Sequence, residues 1–577
     1  MQKIIYSSLL ILILLIILFT AYLSTVGIET SRFNNIIISE IKKKEPNVQL
    51  SLDKIKIKFD IKKIQIYLST VNPYILYQNI KIPIKEINLY TKIISILKSK
   101  NEINQAIISA ENFNIKDIQQ LATRIKPSNF KTYLLNNING GEVEKITINV
   151  KLGDNLNIND YKINGSLKKI NIKTLKNLEI KDVSFNFISD QDLTLINSLK
   201  AKYQNILISN GSLSLKTDKQ KDIEGKFNSR FNFNEEEINK LFLNFNLNFL
   251  ESKRVSAKGA LLHKFMLKID DNFKLIDYDY KTSGVISESQ IVLKNSFISQ
   301  FIEKPVNRIS MSKTNLEISL NKKKNNFLIF DGLYNLINSK KKKFKVTLDL
   351  NKKNSKYLVD FDLSENIFLE LINFKTNFKN KNNIKSEINF VNNILFFKNI
   401  NFFDGKNSIS INGLKLNKKN EIEKISDISV LTFKNNKENN NFKINFNKKI
   451  SISGKKYDAT YLLKQLTSDS KKNPLKNFSK DIEINLNSLI TRSQIPLNNF
   501  YLIGRINKGK FEKLSAKSEF SKKEYLDISL KKDENNKKIL EIYSDLPQAL
   551  LSDYKFFEGI KGGNLLYNSV FDEMGSV

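Results

Sequence analysis

The stretch DIEINLN, residues 481–487, decides the fold: Ile482, Ile484 and Leu486 alternate with Glu483, Asn485 and Asn487. Successive side chains of a strand point to opposite faces. The pattern therefore puts three apolar side chains on one face and polar ones on the other. The same alternation recurs along the chain. Ile55, Ile57 and Phe59 alternate with lysines, and Ile146 and Ile148 with polar residues. Val183, Phe185 and Phe187 form another set, as do Phe442, Ile444 and Phe446. Leu243, Phe245 and Leu247 belong to a longer run separated mainly by asparagines, and Phe361 lies between Val359 and Leu363. Strands buried on both sides read as continuous apolar runs, so this texture predicts antiparallel sheets with one wet face. Glycines such as Gly165, Gly225, Gly284 and Gly504 punctuate the segments at loose spacing, unlike a fixed-period solenoid.

Before this β texture comes IIYSSLLILILLIILFTAYL, Ile4–Leu23, twenty residues without a charge. As a helix it reaches about 30 Å, the thickness of a bilayer core. A cleaved signal peptide has a shorter apolar region and a small-residue cleavage site. Ser24, Thr25, Val26 and Gly27 make a poor one, so an uncleaved single-pass anchor is expected. Glu29 and Arg32 nearly cancel, and Lys42–Lys44 lie at the limit of the charge rule, so charge alone favours a cytoplasmic N-terminus only weakly.

The chain has 577 residues, no cysteine and a formal charge of +34. Disulfides, thiolate metal sites and thiol catalysis are excluded. The lysines are dispersed over solvent-facing strand positions and arginine is scarce. No nucleic-acid partner is therefore expected. His263 is the only histidine, set among apolar neighbours in ALLHKFML. There is no HExxH, GxSxG, phosphate-binding loop or dinucleotide fingerprint. No enzyme, cofactor or metal is expected.

Helical periodicity is confined to Ser31–Lys43, Asp117–Ile125 and Leu546–Tyr554. The lysine run Lys340–Lys343 and the asparagine-rich stretch Asn435–Asn441 read as exposed loops. No Pro/Gly/Ser linker divides the body. At roughly 13 residues per strand and turn, about 40 strands would extend on the order of 190 Å, with twist and curl. Helices are too few to cover the apolar face of such a sheet. It must fold into sandwiches, close into barrels, or stay open as a trough lined by Ile, Leu and Phe.

Two stretches carry a resemblance. VGIETSRFNNIIISEIKK, Val26–Lys43, leads from the span into VQLSLDKIKIKF. LEIYSDLPQALLSDYKFFEGIKGGNLLYNS, Leu540–Ser569, is similar to the S-D-x-x-x-x-L…G-I-x-G-G-x-L element of YhdP-like chains. Together they resemble the AsmA-like family of bacterial inner-membrane-anchored envelope proteins, related to TamB and YhdP. The resemblance implies an all-β fold: a transmembrane helix, then an elongated, curled antiparallel sheet forming an open apolar groove, with few short helices. It implies an anchor over 1–27, a membrane-proximal region over 28–135, a repetitive groove over 136–535 and the start of a C-terminal element over 536–577. The family pattern continues beyond FDEMGSV, so a truncated C-terminal end is expected. The implied location is the inner membrane, with the body in the periplasm. The implied function is passive phospholipid transport toward the outer membrane, with acyl chains as ligands and outer-membrane or periplasmic proteins as further partners. The alternative is a scaffold for outer-membrane protein biogenesis.

Overall fold

The computed structural model describes residues 2–571 outside 33, 72, 92–102, 125–128, 154–156, 174–178, 218–220, 239–251, 271–273, 298–305, 323–325, 337–338, 351–354, 364, 377–380, 392–393, 418–421, 463–478, 509, 522, 535–536 and 554–561. The described residues are mostly strand, with few helices. The chain divides into two units, 1–232 with 259–284 and 320–322, and 233–258 with 285–319 and 323–577.

Unit 1 begins with α1, Gln2–Thr25, and α2, Asn34–Lys44. Its strands are β1 Ile28–Thr30, β2 Val48–Ser51, β3 Ile55–Asp60, β4 Gln65–Val71, β5 Tyr74–Tyr77, β6 Ile80–Ile82, β7 Glu86–Thr91, β8 Ile103–Asn114, β9 Glu142–Leu152, β10 Ile158–Lys173, β11 Glu179–Ser189, β12 Leu193–Tyr203, β13 Ile206–Thr217 and β14 Lys221–Phe233. Helices α3, Ile115–Thr123, and α4, Asn129–Asn137, lie between β8 and β9. Strands β2, β5 and β6 form a small sheet of their own. In the main sheet β1 pairs with β3, then β3 with β4, β4 with β7, β7 with β8, and each strand with its successor to β14, all antiparallel.

Strands β15 Ser252–Ile269, β16 Leu275–Phe297 and β17 Val306–Asn321 contribute residues to both units. Unit 2 continues with β18 Phe327–Leu336, β19 Lys342–Leu350, β20 Ser355–Asp362, β21 Phe368–Leu369, β22 Phe374–Lys375, β23 Asn382–Val391, β24 Ile394–Asp404, β25 Asn407–Leu416, β26 Ile422–Lys424, β27 Asp427–Lys434, β28 Lys437–Asn445, β29 Ile450–Asp458, β30 Lys480–Ile490, β31 Pro496–Asn507, β32 Lys510–Ser521, β33 Glu524–Lys532, β34 Lys538–Ser544 and β35 Leu565–Phe571. Helix α5, Pro547–Asp553, precedes β35. Neighbouring strands again pair antiparallel, and β20 skips the short β21–β22 hairpin to pair with β23. The step from β29 to β30 is parallel.

The helices follow local chemistry. Asn114 caps α3 by accepting from the Lys116 N–H, while Asp117 accepts from the Asn114 N–H. This reciprocal box starts α3 two residues earlier than the periodicity suggests. Helix α4 went unread because FKTYLLNN has no strong apolar stripe. Two loop expectations need correction. Lys342 and Lys343 open β19, leaving only the first half of the lysine run outside a strand. Of the asparagine-rich stretch, only Asn435 and Asn436 form the turn, at φ 50° and 61°. The remainder belongs to β28, and Asn440 is fully buried.

Candidate functional site: an apolar sheet face

Register brings the alternating residues of unit 1 onto one face. A row of paired positions runs Ile55, Thr70, Ile87, Ile108, Ile148, Ile163, Ser189, Thr194, Leu215 and Ile223 from β3 to β14. The next row runs Ala110, Ile146, Gly165, Phe187, Ile196, Leu213 and Gly225. Ile57 and Phe59 continue the same side of β3, and Phe185 that of β11. The glycines have a steric role in this row. A Cβ on Gly165 would lie 2.3 Å from the Phe187 ring, and one on Gly225 2.5 Å from Phe265. Without it, aromatic rings lie across the neighbouring strand.

Among the described residues, parts of this face are covered and parts are not. Ile170, Val183 and Ala201 pack under Ile115 at the start of α3. Ile55 is also fully buried, but Ile57, Phe59, Ile146, Ile148, Phe185 and Phe187 are half-buried.

Unit 2 repeats the arrangement. One row runs Phe344, Phe361, Ile384, Phe402, Ile409, Val430, Phe442, Gly454, Leu486 and Phe500. Beside it runs Val346, Val359, Ser386, Ile400, Ile411, Ile428, Ile444, Ile452, Ile484, Leu502, Ala516, Ile528 and Ile542. The first row is buried from Phe402 to Phe500, the glycine aside. In the second row most isoleucines, Ile444 and Ile484 among them, are half-buried. Ile482 and Phe446 join the buried cluster and Phe361 packs against it. Leu243, Phe245 and Leu247 lie outside the described residues.

Part of the cover is a short strap, Leu363 with residues 365–376, with the β21–β22 hairpin at its centre, and Ala549 of α5 enters the same buried cluster. Leu363, Ile372 and Phe374 enter the buried cluster, and Phe374 meets Phe402 edge-on at 5.9 Å. Polar bonds hold the strap down. Asn440 Nδ2 donates to the Ile372 carbonyl and to Thr432 Oγ1, both at 2.8 Å, and its Oδ1 accepts from the Asp458 N–H at 2.8 Å. Tyr457 donates its hydroxyl to the Leu371 carbonyl at 2.9 Å, and burial pushes that phenol well above its usual range. Asn373, in the left-handed region at φ 45°, donates to Asp458 Oδ2. Sequence reading missed this strap because IFLELINF is apolar but not periodic. An apolar run flanked by a polar asparagine strand elsewhere is its only sequence signal.

The opposite face carries the charges, with Leu358, Phe403 and Ile503 exposed among them. Cross-strand pairs such as Lys356 and Lys398 with Glu387, or Lys531 with Glu541, place the lysines in solvent as the sequence suggests. Exposed pairs of this kind add about 0–1 kcal/mol each.

His263 sits on the apolar face of unit 1 between β14 and β16. Its Nε2 is 2.7 Å from Ser229 Oγ and its Nδ1 is 2.8 Å from the Tyr280 hydroxyl. Phe227 stacks on the ring at 4.4 Å. Two hydroxyls occupy the ring nitrogens, so the imidazole ties three strands together. Burial holds its pKa below the usual 6.5. As pH falls, the unfolded chain therefore takes up the proton first. Unit 1 should lose stability as pH drops through 6.5, and His263→Gln should flatten that slope. Amide exchange across β14–β16 at several pH values measures it, and an unchanged slope in the variant would rule out the imidazole as the cause.

No family model, curated protein or solved structure matches the chain.

Proposed function

We propose that this chain is anchored in a bacterial inner membrane and carries phospholipid acyl chains along its apolar sheet face across the periplasm, making and breaking no bond. The observation that supports this reading is the row Ile400, Ile411, Ile428, Ile444, Ile452 and Ile484. These side chains are half-buried beside a row that is closed. Each methylene taken from water onto such a surface gains about 0.8 kcal/mol. Headgroups would stay in water at the open side. The face sets no direction, so flow would follow a gradient or an energised partner. Helix α1 supports the anchor: Ile5–Thr25 has a mean hydropathy of 2.5 and no burial within the protein.

A photo-crosslinker at Ile484 of the full chain, extracted under mild conditions, should capture phospholipid. One at Tyr501, which is 41% exposed on the opposite face, should not. Absence of phospholipid at Ile484 in every extraction would end the transport reading. The strap over 363–376 favours a second reading for part of unit 2, because it finishes a core there. A scaffold for outer-membrane protein assembly needs a filled core and free strand edges more than a lipid path.

A further inference from the structure

We infer that the β3–β4 turn, Ile61-Lys62-Lys63-Ile64, docks on an anionic phospholipid surface at the mouth of the membrane span. The inference rests on α1 crossing a bilayer and is independent of lipid carriage. Helix α1 ends where the Val26 and Gly27 N–H groups both donate to the Tyr22 carbonyl, at 2.9 and 3.0 Å. Strand β1 follows at once and pairs antiparallel with β3, Ile28 opposite Ile57 and Thr30 opposite Ile55. Strand β3 therefore runs back toward the end of α1. It reaches the helix end at Lys58, where a Cβ on Gly27 would lie 2.8 Å from Lys58 Cγ. The strand comes close to α1 at this end of the helix. The turn comes three residues later, past the level of the helix end, which is the side a bilayer around α1 would occupy.

Its composition fits the place. Ile61 is 59% and Ile64 69% exposed. Ile64 also holds φ 53°, a left-handed conformation that β-branched residues avoid. In water neither isoleucine gains anything from its position; in the outer acyl layer both would. The turn is also built, not loose, since Asp60 Oδ1 accepts from the Lys62 and Lys63 N–H groups at 3.0 and 3.2 Å. Behind it Tyr67 and Tyr90 stack at 4.9 Å, with Lys63 Nζ 4.0 Å over the Tyr90 ring. Lys63 also donates to Gln105 Oε1 at 3.0 Å, so its cation is turned back onto the sheet. Apolar tips, Lys62 and then tyrosines match the layering of a membrane interface, where a cation meets lipid phosphates.

The chain lacks cysteine, so single cysteines can carry a polarity-sensitive fluorophore. The full chain would carry one at Ile61→Cys, Ile64→Cys, Leu15→Cys in α1, or Leu207→Cys at the opposite strand end. It would be reconstituted in phosphatidylcholine vesicles with and without phosphatidylglycerol. Probes at 61 and 64 should shift to the blue and be quenched by nitroxide lipids labelled just below the headgroup. The probe at 207 should do neither, and the probe at 15 should respond to deep nitroxides. Phosphatidylglycerol should strengthen the response. Lys62→Gln should then lower the docked-to-undocked ratio about fivefold, which corresponds to about 1 kcal/mol per lysine. If positions 61 and 64 stay as aqueous as 207 while 15 is quenched, the docking is wrong. A silent probe at 15 removes its premise. Equal responses in both lipid mixtures, unmoved by Lys62→Gln, overturn the anionic specificity.

Discussion

Asn440→Ala is expected to loosen the 363–376 strap from the sheet of unit 2 at a cost of roughly 3–5 kcal/mol. The side chain is fully buried and joins three groups at once: the Ile372 carbonyl, the Thr432 hydroxyl and the Asp458 N–H. Each buried polar group left unmatched costs about 1–3 kcal/mol. The apolar contacts of Ile372 and Phe374 remain, so the strap would open more often without the sheet dissolving. Amide exchange over 367–376 is the right readout, because long arrays of neighbouring strands need not unfold in one step. Asn441→Ala is the comparison: that side chain is only half-buried and donates to Glu438, so little change is expected. Exchange rates in the strap that match wild type in both variants would show that apolar packing alone holds it.

The second large effect concerns transport. Ile484→Asp should cut phospholipid transfer between donor and acceptor vesicles on the order of tenfold to a hundredfold, since moving methylenes over an unpaired carboxylate forfeits about 1–3 kcal/mol. Ile484 is half-buried, so the new charge can keep water and the sheet should persist. Leu486, two residues on, is fully buried in the closed row, and the same change there would take the fold with it. Tyr501→Asp, on the other face, should leave transfer untouched. Wild-type transfer by the Ile484 variant would mean that lipid does not travel along this row.

Much of this was open to reading from period-2 alternation. Ile482, Ile484 and Leu486 do share a face, as do Ile146 and Ile148. Alternation fixes the side of a strand on which a residue falls, because the pleat has period two. It does not say what lies above that side. Leu486 and Ile484 are identical in pattern, yet only the first is fully buried. Asn440 misled for a related reason: its polarity reads as solvent-facing, and its burial is intelligible only once a distant backbone carbonyl arrives to accept its proton. His263 behaved similarly, its two hydroxyl partners being 34 and 17 residues away.

The pairing order has a kinetic consequence. Nearly every strand bonds to its immediate predecessor, so assembly can proceed like a zip, each hairpin closing as its second arm is made. Loop-closure entropy is then small at each step, and long-range search, the usual reason β proteins are slow, is avoided. The parallel junction between β29 and β30 breaks this rhythm. A parallel pair cannot be closed by a tight hairpin, so pairing there has to wait for a crossover connection. That junction is where a growing polypeptide would pause, its last edge waiting for a partner that has yet to arrive.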